Sequence, residues 1–129
     1  MGKLVANEVL DAALQDLETN CDWISVCEGA PTTYEHAHSD KGTGTGKVLA
    51  HSITPTFTGP GEGDVDGRKT AVDEEPTILI DFSGDADHVA LVFVGSTILL
   101  YVTTCTLQAL VAAGTVTIPT WDIEIADPV

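Results

Sequence analysis

A chain of 129 residues and 13.5 kDa has room for one domain, which on folding buries about two-thirds of the surface its extended form exposes. Hydrophobic residues at 43% against 19% charged give a globular balance, which excludes a disordered chain. Twenty acids against five bases leave a net charge of −15, and that sign argues against binding a nucleic-acid backbone or an anionic lipid surface, since both recognise clustered Lys and Arg.

Residues 4–19 carry the first strong pattern. Val5, Val9, Ala13 and Leu17 fall on one stripe with Leu10 and Leu14 beside it, which predicts an amphipathic helix. Asn7 is the expected N-cap, Glu8 and Asp11 suit the first turn, and Asn20 is the expected left-handed stop. Beyond the helix the chain changes character. Thr, Val and Ile make up 38 residues, the β-branched set that favours strands. Strands are expected at Trp23 to Glu28, Lys47 to Ile53 and Arg68 to Val72. Between them lie a long polar loop over 29–46 and a Gly-rich loop opening at Thr58 and ending at Gly67. Ile78, Ile80 and Phe82 alternate as a half-buried strand, and Gly84-Asp85 reads as a turn. His88 to Val94 and Ile98 to Thr104 flank Gly95-Ser96-Thr97 as a hairpin. Val116 to Ile118 and the alternating run from Trp121 complete the set, with Pro119 marking an edge or bulge.

The charge distribution sharpens the picture. Nine acids crowd into residues 62–87, whereas His88 to Trp121 contains no Asp, Glu, Lys or Arg. So long an uncharged stretch raises the question of a membrane span, but Gly95-Ser96-Thr97 interrupts it and no Lys or Arg anchors either end. A hairpin is expected instead, and no membrane partner. That hairpin is apolar on both faces. Leu91 and Phe93 oppose Val92 and Val94 on one strand, and Ile98, Leu100 and Val102 oppose Leu99 and Tyr101 on the other. Burial on both faces follows, under the N-terminal helix or under another polypeptide.

Candidate chemistry is sparse. His36-Ala37-His38 with Asp40 could offer two imidazoles from an extended segment, yet no third ligand stands at a metal-site spacing. Asp64-Val65-Asp66-Gly67 resembles the start of a calcium loop, but Lys69 stands where that loop needs Gly. Gly42 to Lys47 fails as a phosphate loop because Lys41 and Val48 replace its Gly and its Ser or Thr. Neither Cys27 nor Cys105 sits in a nucleophile motif, so no enzyme and no cofactor are expected. Cys21, Cys27 and Cys105 cannot all pair, and no signal peptide follows Met1-Gly2-Lys3. Three reduced thiols in a protein made in the cytoplasm are expected, although spacing alone would allow a Cys21–Cys27 bridge.

Four segments together carry a resemblance. They are Asn7-Glu8-Val9-Leu10-Asp11-Ala12-Ala13-Leu14, Pro31-Thr32-Thr33-Tyr34, Leu99-Leu100-Tyr101-Val102-Thr103-Thr104 and the closing run from Ile118 to Pro128. In their order they resemble small virion structural proteins of tailed bacteriophages. The resemblance implies a non-enzymatic capsid decoration, or cement, protein on the outside of the head shell, with the major capsid protein as partner. A neck or tail role, or a small metal-binding module, is the alternative. The expectation is therefore a mainly β single domain spanning 1–129. It would be an antiparallel sandwich or small barrel (about 22–127) behind one N-terminal helix, located on the virion and able to self-associate as a homo-oligomer. Val92, Val94, Leu99, Tyr101, Pro119 and Trp121 are the expected assembly contacts, with no catalytic, cofactor or metal residues.

Overall fold

The computed structural model describes residues 5–42 and 47–126. The chain is mainly β, with 53% strand and 19% helix; its sheets are antiparallel and of the sandwich-like class, and no barrel closes. Of the Gly-rich run before Lys47, Thr43 to Gly46 lie outside the described residues, as do Leu4 at the expected helix start and the Asp127-Pro128 end of the closing run. The described residues gather into two compact units.

The first unit draws on residues up to 20, 56–74 and from 119 onward. Helix α1 (Asn7–Asn20) packs on a three-stranded sheet of order β3-β4-β9, formed by Phe57–Glu62, Arg68–Val72 and Trp121–Ile125. Its buried face is rotated from the expected stripe. Leu10 and Leu14 are buried, whereas Val9 is 62% exposed. Three hydrogen bonds between side chains set that rotation. Asp11 receives both Nε and Nη2 of Arg68, at 2.7 and 3.2 Å, and Glu18 accepts the hydroxyl of the fully buried Thr70. Asp11, Leu14 and Glu18 recur at i, i+3 and i+7, so one face carries acid, leucine and acid against β4. The expected caps shift too. Ala6 O accepts the N–H groups of Val9 and Leu10, so the cap lies one residue before Asn7. Asn20 stays within the helix and donates from Nδ2 to Asp16 instead of turning left-handed.

Thr58 to Glu62 corrects the reading of that segment as a loop. It pairs with β4 as an edge strand, the position in a sheet where Pro60 is tolerated. The register slips between Thr58 and Gly61. There Gly59, at φ +137°, brings its backbone so close to β4 that a Cβ would meet Lys69 O and Thr70 at 3.2 Å. The β3–β4 turn closes with Gly63 N donating to Gly67 O, and Lys69 Nζ pairs with Asp64 and Asp122. The Asp64–Gly67 segment is thus a hairpin turn tied by its own lysine.

The second unit holds residues 21–55 and 75–118. Its main sheet has the order β2-β1-β6-β7, from Lys47–Ser52, Trp23–Glu28, Gly84–Phe93 and Ile98–Leu110. A small sheet pairs β5 (Glu75–Leu79) with β8 (Thr115–Ile118). The expected turn at Gly84-Asp85 is instead the start of β6, because Glu28 Oε1 accepts Asp85 N and Gly84 pairs with Leu110. The expected loop over 29–46 contains a short helix, α2 (Tyr34–His38). Five residues cannot hold a helix alone, so its supports are external. Thr33 Oγ1 accepts His36 N at the N-cap, and Ala37 O accepts both Trp23 Nε1 and Ser25 Oγ at 2.9 Å.

Truncating Leu14 to Ala, at 2% exposure, is expected to cost about 2–5 kcal/mol in denaturant unfolding, against about 0.5 kcal/mol or less for Val9→Ala. Equal losses from the two would mean that α1 buries the stripe expected from the sequence.

Candidate functional site

Strand β6 is the centre of the larger sheet, paired on one side with β1 and on the other with β7. Val89, Ala90, Leu91 and Val92 are all buried, so both faces of this strand are out of water. The register sorts the faces. Ser25, Ala90 and Val102 lie in one row and Trp23, Val92 and Leu99 in another, on the face that carries α2. Ile24, Leu91 and Tyr101 form a row on the opposite face. The element packed on the hairpin is α2, against β1, β2, β6 and β7, whereas α1 packs on β3 and β4 within its own unit. The sequence left the cover open between the N-terminal helix and another polypeptide; on this face the cover within the unit is α2.

The two outer strands of the sheet differ. Along β2, Leu49 O accepts the N–H groups of Asp81 and Phe82, and Ala50 bridges Ile80, so that edge is closed. Among the described residues, strand β7 pairs with no strand beyond it. It is 13 residues long, carries no acid or base, and exposes Ile98 (47%), Tyr101 (37%) and Leu107 (63%). Register shifts opposite Ala86/His88 and Leu91/Val92 put extra residues on β7, leaving Tyr101 to Thr104 as its regular stretch. At the end of β7 more apolar surface appears. Phe82 and the 69%-exposed Val111 flank a hydrogen bond from Ala112 N to Ser83 Oγ.

The six expected contacts separate accordingly. Val92 is fully buried and has no surface to offer, while Val94 and Leu99 are half-buried around the same cluster under α2. Tyr101 is exposed on the other face. Pro119 and Trp121 belong to the first unit, Pro119 exposed and Trp121 opposite Val72. Leu107 and Val111 were not singled out by the sequence reading. The available signal was the uncharged run itself, which continues past Thr104.

The histidines serve the core of this unit. His51 stacks on Trp23 with centroids 4.0 Å apart and planes within 6°, and His38 tilts against Trp23 at 4.3 Å while stacking on Tyr34. His36 is engaged separately, its Nδ1 3.3 Å from Thr32 N and Oγ1. As neighbours two apart on a helix, His36 and His38 do not share a side, which corrects their placement on an extended segment. Among the described residues no three His, Cys, Asp or Glu side chains gather as a metal site needs. Burial lowers the His51 pKa; the Asp81 carboxylate, its Oδ2 3.3 Å from Nδ1 without hydrogen-bond alignment, opposes the shift, and Lys41 reinforces it. Asp87 is held below its ordinary value by His88, whose Nδ1 lies 2.7 Å from Oδ1, and by the N–H of Gly29. All three cysteines are free. Burial raises the Cys27 thiol to about 11 and also raises Cys21, which suits inert core thiols.

Comparison of the chain with protein-family models, with curated proteins and with solved structures finds no match.

Because folding depresses the His51 pKa, its stabilising contribution is complete above the ordinary value of 6.5 and is lost as pH falls through the lower folded value. His51→Phe, which keeps a ring against Trp23, is expected to flatten the fall in thermal stability below that pH; an unchanged profile would assign it to other groups. Thiol titration of the native chain is expected to label Cys105 alone, with Cys21 and Cys27 reacting only after denaturation. Native labelling of Cys27 would contradict the packing of β1, and of Cys21 the burial of the segment before it.

Proposed function

We propose that this protein is a non-enzymatic structural component of a tailed-bacteriophage particle, a capsid decoration protein that binds the major capsid protein on the outside of the head shell. The observation that carries the reading is strand β7, among the described residues a long, charge-free outer strand of its sheet with apolar side chains in water. Such edges are templates for pairing, and folded proteins ordinarily blunt them with charge or cover them. A protein whose task is to adhere needs this kind of surface and no active site.

Two further features support the reading. The Leu99–Thr104 segment, one of those that resemble phage virion proteins, lies within β7. The acids lie elsewhere, and −15 on the remaining surface would keep copies crowded on a shell soluble. The histidine loop does not carry the metal-binding alternative, because His38 and His51 are packed on Trp23 and His36 is turned to Thr32.

Mass spectrometry of gradient-purified particles is expected to find the chain in copy numbers comparable with the major capsid subunit, and immunogold labelling to place it on the head. Labelling confined to the neck or tail would move it to the alternative site. Absence from the particle would overturn the proposal.

A further inference from the structure

We propose that helix α2 is an acid-released cover, closed on the larger sheet while His51 is neutral and lifted from it when His51 takes up a proton. This inference concerns the free protein and does not depend on the particle to which the chain belongs.

The first argument is geometry. Two imidazoles from different elements share one indole: His38 of α2 tilts against Trp23 at 4.3 Å, and His51 of β2 lies parallel to it at 4.0 Å. His51 pairs with Ser25 across β1 and β2, and Ser25 Oγ donates to Ala37 O, so His51 stands on the face that α2 covers. Its Nδ1 is buried without an aligned hydrogen-bond partner. A neutral ring fits there with its proton on Nε2, whereas the imidazolium carries N–H on both nitrogens and buries a charge. The second argument is the set of groups facing His51. Burial disfavours its imidazolium most, and Lys41, just beyond α2, and His38, on α2 itself, act in the same direction. Asp81, with Oδ2 3.3 Å from Nδ1, is the carboxylate that opposes them. Asp40, after α2, is paired with Lys47, and Tyr34 stacks on His38. Strand β1 brings Trp23 and Ser25, which carry no charge.

Lifting α2 hydrates His51 and takes His38 away, so the open form binds the proton more readily than the closed one. Among the elements around His51, α2 is the one that can move alone. It is five residues long and rests on the sheet through one small buried residue, Ala37, while β1 and β2 are paired along their length. Its release uncovers the apolar cluster of Trp23, Ala90 and Val92.

Hydrogen exchange of the full chain at a series of pH values, corrected for the intrinsic pH dependence of exchange, tests the inference. The Trp23 indole proton, held by Ala37 O, and the Ser39 amide, held by Glu35 O, report the cover, and the amides of Val89 to Val92 report the sheet. Opening at the two cover sites is expected to rise by up to about tenfold per pH unit below 6.5 and to be almost insensitive to low urea. The sheet amides are expected to exchange more slowly and to follow urea, as global unfolding does. His51→Phe is expected to remove the rise at the cover sites. Asp81→Asn, which removes the carboxylate favouring the closed imidazolium, is expected to carry the rise further into acid, and it is the independent variant should His51→Phe fail to fold. Cover sites that match the sheet in rate and urea dependence would overturn the inference, as would opening that is flat or falls in acid. So would a rise that folded His51→Phe retains, or one that Asp81→Asn leaves ending at the wild-type pH.

Discussion

The burial of β6 on both faces is the constraint on which the larger unit depends. A strand with Val89, Ala90, Leu91 and Val92 in sequence has no polar face to present to water, so it must lie inside a sheet with cover above and below. Central position follows, and with it the pairing of β1 on one side and β7 on the other. Short α2 lies over one face only because Ala37 is small and wholly buried, and because its carbonyl accepts hydrogen bonds from Trp23 and Ser25. A larger side chain at Ala37 would lift the helix from the sheet and strand the buried Ser25 hydroxyl.

Many of the acids act as acceptors inside their own unit and not as a diffuse negative coat. Asp11 and Glu18 fix α1 through Arg68 and Thr70, Asp73 receives the hydroxyls of Thr56 and Thr58, and Glu124 receives Asp64 N. In the larger unit Glu75 is buried yet accepts from Ser52, and Asp87 holds Gly29 N. Because carboxylates used this way accept hydrogen bonds from defined donors, they set the rotation of a helix and the start of a strand. The same chemistry leaves β7 apart, with no acid available to protect its edge.

Much of the fold was legible where the signal is local. Strands β1, β2, β4 and β9 and the existence of α1 follow from alternation or helical spacing in contiguous residues. The failures share a physical cause, which is support from far along the chain. Helix α2 depends on Trp23 and Ser25, residues 14 and 12 positions before Ala37, although Thr33 followed by Glu35 was a local capping signal. Strand β3 contains Gly59, Pro60 and Gly61, turn residues by propensity, and is a strand because it lies at an edge where β4 approaches closely. The stripe of α1 was misplaced because apolar spacing alone does not show that Asp11 and Glu18 face Arg68 and Thr70. The doubly apolar ribbon was visible in the sequence. That its second strand is an open edge was not, since strand order cannot be read from hydropathy alone.

The adhesive role proposed for this protein rests on β7 being an edge and β6 a centre, and hydrogen exchange read residue by residue on the dilute chain tests that arrangement most directly. The account predicts that the amides of Val89 to Val92 exchange only through global unfolding, while amides between Tyr101 and Thr104 alternate between protected and fast. Uniform protection along β7 in the dilute chain, or fast exchange within Val89 to Val92, would contradict it.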